Sequence, residues 1–94
     1  MTSPWTMDTI PWNDFRPDLV DPAFVRVAKT AAMVEYNGGR YAGYLKRVFA
    51  GDAAFLPAVE EWGREETRHG EALARWAKLA DPDFDFQASF NRFQ

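Results

Sequence analysis

Glu65-Glu66-Thr67-Arg68-His69-Gly70 decides the fold through the pattern in which it sits. Steps of four and three residues through it read Phe55, Val59, Trp62, Glu66, His69, Leu73, Trp76, Ala80, an apolar seam broken only by Glu66 and His69. A matching seam runs upstream as Phe24, Ala28, Ala31, Glu35, Gly38, Ala42, Leu45, Phe49. Its one charged member is Glu35, in Met33-Val34-Glu35-Tyr36. Residues at these steps share one face of a helix. The reading is therefore two amphipathic helices in which two acids and the sole histidine replace apolar residues on faces expected to be buried.

A buried, unpaired carboxylate costs on the order of several kcal/mol. Such groups persist as neutral acids, ion pairs or metal ligands. Neither seam contains a Lys or Arg to serve as an ion-pair partner. The helices are expected to turn near Ala50-Gly51-Asp52, and Glu35 then lies about as far from the turn as Glu66 and His69, at roughly 1.5 Å per residue. Glu and His at i and i+3 lie on one face, so the three side chains can converge on a metal at one level of the hairpin. The metal-free reading of the same residues is a hydrogen-bonded Glu–His pair that fixes register between helices.

Capping signals place the element boundaries. Pro4, Pro11 and Pro17 disfavour a long helix before residue 21 and predict an extended arm over 1–21, held to the bundle by its tryptophans. Asp21-Pro22 reads as an N-cap followed by proline at the first helical position, with the helix running to about Ala50 and stopping at Gly51. Asp52 caps the second helix, which begins near Phe55 because of Pro57 and ends at about Ala80, before Pro82. The hairpin thus occupies 22–80. In the remaining segment, 81–94, Phe86, Phe90 and Phe93 follow a candidate Asp85 cap at helical spacing and predict a short helix. Gly38-Gly39 inside the first helix costs roughly 1 kcal/mol per glycine, and either a close helix approach or a kink accounts for it.

With 94 residues and 47% hydrophobic content, the chain is one small domain at most. Trp5, Trp12, Phe15, Phe84, Phe86, Phe90 and Phe93 lie outside the two long helices. These aromatics predict either oligomerisation or an N-terminal fragment of a longer chain. A net charge of −3 without a basic block argues against nucleic-acid and polybasic membrane surfaces. The absence of cysteine removes disulfides, thiolate zinc sites and rubredoxin-type iron, leaving oxygen and imidazole as metal ligands. No membrane span or secretory signal is recognisable, so a cytoplasmic protein is expected.

Taken together, Glu35, Glu66-x-x-His69 and their seams resemble the ferritin-like, rubrerythrin-like di-iron carboxylate proteins. In those four-helix bundles the first helix gives a Glu and the second Glu-x-x-His. More closely, Ala31-Ala32-Met33-Val34-Glu35-Tyr36-Asn37-Gly38-Gly39, Glu66-x-x-His69-Gly70-Glu71-Ala72-Leu73 and Trp76-Ala77-Lys78-Leu79-Ala80-Asp81-Pro82 resemble the amino-terminal half of a group of uncharacterised bacterial ferritin-like proteins. The resemblance implies an all-α fold, an antiparallel hairpin forming half of a ferritin-like four-helix bundle. Dimerisation, as in the small encapsulated ferritin-like proteins, or a missing C-terminal half would complete it. It further implies Glu35 as a terminal carboxylate, Glu66 as the bridging carboxylate and His69 as a nitrogen ligand of a di-iron site, with manganese as the alternative metal. Implied activities are iron oxidation, peroxide reduction or oxygenation. The alternative is a non-catalytic helical hairpin that mediates oligomerisation. Tyr36, Tyr41 and Tyr44 are read first as packing residues, with a redox role second; Trp62 and Trp76 are read as core. Glu60, Glu61, Glu65 and Glu71 are assigned to the wet face, together with Arg68.

Overall fold

A computed structural model of the chain describes residues 5–93, and every described element is helical. Three helices, α1 (Pro22–Val48), α2 (Leu56–Ala80) and α3 (Phe86–Phe93), follow an arm of three single 3-10 turns at Met7–Thr9, Trp12–Asp14 and Pro17–Leu19. The arm is therefore not simply extended as expected. Pro17 sits at the start of the third turn, where its fixed φ suits a helical start. Residues 1–4 of the predicted arm lie outside the described residues.

Aspartates start each helix. The Asp21 carboxylate accepts from the Ala23 N–H at 2.9 Å, with Pro22 immediately after it. Asp52 accepts from Ala54 and Phe55 at 3.1 and 2.9 Å, which carries the chain into α2, and Asp85 accepts from Ala88 at 3.1 Å. Pro57 falls in the first turn of α2, where no intrahelical donor is required. The end of α1 differs from expectation. The helix stops at Val48 with Phe49 as its cap, and Gly51 does not adopt the left-handed conformation of a glycine stop. Asp52 donates its N–H to the Phe49 carbonyl instead, closing the turn with ordinary backbone angles.

α1 and α2 pack along their lengths, but not through the expected seams. The buried stripe on α1 is Ala28, Ala32 and Ala42; on α2 it is Val59, Gly63, Gly70, Ala74 and Ala77. From the predicted seams Ala28, Ala42 and Val59 belong to it, whereas Phe24 is 65% exposed and Trp62 is 40% exposed. Small residues win because they let the two backbones approach. A Cβ on Gly70 would lie 2.7 Å from the Tyr36 backbone nitrogen, and one on Gly63 would lie 2.6 Å from the Ala42 Cβ. The same closeness accounts for Gly38-Gly39, through which α1 runs uninterrupted: a Cβ on Gly39 would collide with the Thr67 hydroxyl. Close approach, not a kink, is the reason for the glycine pair.

α3 and the segment before it cover one side of this hairpin. Phe84 joins Ala28 and Ala77 in a small core, with Trp76 and Phe86 packed against it. Tyr36 meets Phe86 and Phe90 edge-on at 5.4 and 5.0 Å, and Phe90 is fully buried. Lys29 closes the end of the hairpin by bonding Asp81 at 2.7 Å. Glu35 precedes Tyr36 by one residue, about 100° round the helix. The acid therefore lies on a different side from the one α3 covers. No helix among the described residues is long and apolar enough to cross a membrane.

Candidate metal centre

α1 supplies Glu35 and α2 supplies Glu66 and His69, and the hairpin brings all three to one level. One ligand atom from each lies within 4.8 Å of the others. His69 Nδ1 is 4.0 Å from Glu35 Oε2 and 3.9 Å from Glu66 Oε1. These separations exceed hydrogen-bond distance, so His69 makes no hydrogen bond to either acid in this arrangement. Two atoms each about 2.1 Å from a common ion lie about 3 to 4 Å apart. The spacing is thus open enough for a cation and needs only small rotations to close on one.

The ligand face is half-open, contrary to the buried face expected from the seams. Side-chain exposure is 36% at Glu35, 19% at Glu66 and 40% at His69. The cause is the rotation of the helix contact onto the small-residue stripe, which leaves these three on the flank. Phe24, Val27 and Val34 are exposed on α1, as are Trp62 on α2 and Phe55 just before it. Arg26, Val27, Thr30, Ala31 and Val34 line an open cavity of about 490 Å³ that reaches Glu35.

Gly38 makes room for the second carboxylate. A Cβ there would lie 3.1 Å from Glu66 Oε2 and 3.3 Å from its Cβ and Cγ, so the Glu66 side chain lies across the bare glycine toward Glu35. Bringing two carboxylates together has an electrostatic consequence. The hydrogen bond shared with Glu35, then burial, then the negative charges of Glu35 and Glu65 push the Glu66 carboxyl up to about 7. A bound cation would remove that repulsion. Two carboxylates and an imidazole form a hard-to-borderline donor set that suits iron or manganese, and the glycine cradle leaves the carboxylates unobstructed.

Two neighbours of the site were assigned no role from sequence. Glu65, placed on the wet face, adds to the charge felt by Glu66. Trp5, expected only to fasten the arm, stacks on His69 with ring centroids 5.9 Å apart and planes 16° from parallel. No spacing rule links residue 5 to residue 69, so only tertiary structure reveals it. Tyr36 packs against α3, while Tyr41 and Tyr44 are exposed on α1 and lie against each other at 5.6 Å. No protein-family model, curated protein or solved structure matches this chain.

Proposed function

We propose that the chain is a ferritin-like metal-binding protein whose hairpin carries half of a di-iron carboxylate site. Convergence of Glu35, Glu66 and His69 within 4.8 Å supports this reading most directly. In it a second copy of the hairpin supplies the other half, so that a two-fold pair presents four carboxylates and two imidazoles between subunits. Phe24, Val27, Val34 and Trp62, exposed on the two helices that carry the ligands, favour such pairing. Iron, or manganese in its place, would supply the electron chemistry with dioxygen or peroxide. The protein's own groups have narrower tasks: Glu35 and Glu66 donate oxygen ligands, His69 donates nitrogen, and Glu66 gives up its proton when the cation enters. The scaffold does not by itself select between iron oxidation, peroxide reduction and oxygenation.

The same exposed apolar residues also favour the plainer reading, an oligomerising hairpin whose polar residues only fix register. Anaerobic Fe(II) titration with elemental analysis and sedimentation separates the two. About one iron per chain in a dimer or larger assembly, lost in Glu35→Ala, is the expected result. Equal metal content in wild type and Glu35→Ala would reject the metal centre, and an oligomer altered by the mutation without any metal dependence would favour the register role.

A further inference from the structure

A histidine that binds a metal is normally oriented by a hydrogen bond from its second ring nitrogen. His69 forms no hydrogen bond among the described residues. Its ring is instead covered by Trp5, which lies nearly parallel to it in an offset stack. Trp5 is in turn held at two points by the residue before His69: the Arg68 guanidinium lies 5.6 Å from the indole centre, and Arg68 Nη1 donates to the Trp5 carbonyl at 3.4 Å. Farther along the arm, Trp12 donates its indole N–H to the Met7 carbonyl at 2.8 Å and lies under Arg75, while Phe15 meets Trp76 edge-on. The arm is therefore fastened along α2 from Arg68 to Trp76, and its first anchor rests on a candidate ligand.

We infer that Trp5 is a positioning residue for His69, holding the imidazole with Nδ1 toward Glu35 and Glu66 and shielding one face of the ring from water. This rests on the metal reading above for its consequence, but the stacking itself does not. An indole face favours positive charge on the stacked ring, so it supports an imidazole that shares its lone pair with a cation. Coupling between arm and site is reciprocal: what the arm adds to metal affinity, the metal adds to docking of the arm.

Because His69 is the only histidine of the 94 residues, its ring protons give an unambiguous NMR signal in this chain. They are expected upfield in wild type from the Trp5 ring current, moved downfield in Trp5→Ala, and largely retained upfield in Trp5→Phe. Co(II) titration, followed by its visible absorption, is expected to show about 2- to 12-fold weaker binding in Trp5→Ala, the range of an aromatic pair. Trp5→Phe should restore affinity to within about 2-fold. Circular dichroism of each variant confirms that the hairpin is retained. Identical His69 shifts in wild type and Trp5→Ala would overturn the positioning role, and so would moved shifts with unchanged Co(II) affinity. A wild type that keeps the ring-current shift but binds no Co(II) would overturn the metal reading and Trp5's role toward the metal, leaving the stack as packing.

Discussion

Glu66 couples the candidate site to pH. Its carboxyl is pushed from 4.5 up to about 7, first by the hydrogen bond with Glu35, then by burial and by the charges of Glu35 and Glu65. Between those values the folded chain binds more protons than the unfolded one, so stability falls as pH rises through the window. For the metal-free protein, this group alone is expected to remove on the order of 1–3 kcal/mol between pH 4.5 and 7.5. Urea unfolding across that range measures it. Glu66→Gln should flatten the dependence and exceed wild type in stability above pH 7, at the loss of metal binding. Cation binding requires the ionised acid, so Fe(II) binding at pH 6 should release about one proton, detectable in calorimetry with buffers of different ionisation enthalpy. No such release by a protein that binds iron would place the metal elsewhere. The meeting of Glu35, Glu66 and His69 at one level was legible in the sequence, because a polar residue in an apolar seam stands out. Trp5 was not, because an aromatic in a proline-rich arm carries no periodicity that points to a partner 64 positions away, from 5 to 69.

At the level of the helices, small residues control how closely α1 and α2 approach. Gly70→Ala would set a Cβ within 2.7 to 2.8 Å of the Tyr36 backbone and Cβ. Neither helix backbone can rotate out of the way as a side chain can. Overpacking of this kind costs about 1–3 kcal/mol, partly offset by the roughly 1 kcal/mol advantage of alanine in a helix. Gly43→Ala is the control: it adds a Cβ that meets nothing within 4 Å and should stabilise α1 by up to about 1 kcal/mol. Thermal unfolding of the two variants should move in opposite directions, and a shift of the same sign would mean that the close approach at Gly70 does not govern packing. The aspartate caps and proline positions made the starts of the helices readable from sequence, as did the end of α2 before Pro82. The phase of their contact was not readable. Each helix carries two adjacent non-polar stripes, one of large residues and one of Ala and Gly, and periodicity alone does not say which one faces the neighbour. The small stripe permits a closer approach, so it faces inward and the large one, with its three ligand candidates, is left on the flank.

Across the whole chain, that flank is the feature a single copy leaves unresolved. The radius of gyration is 15.3 Å, against about 12.4 Å for a compact domain of this length, and the thinnest dimension is 17 Å. Two long helices and one short one make a slab, with α3 on one side and Phe24, Val27 and Val34 exposed on α1. If these residues meet a second copy, placing charge among them should separate the copies without unfolding the hairpin. Phe24 and Val27 lie at least two helical turns from Glu35, so charge there spares the ligands themselves. Phe24→Glu combined with Val27→Glu is therefore expected to sediment as a monomer and keep its helical circular dichroism, while wild type sediments as a dimer or larger. Metal content then locates the other half of the site. A monomeric variant that loses most of its iron would mean that the copies share the centre, whereas one that keeps wild-type stoichiometry and affinity would mean that each hairpin holds its ion alone. The second result would leave Glu35, Glu66 and His69 as a mononuclear site and would rule out the paired carboxylate arrangement on which two-metal chemistry depends.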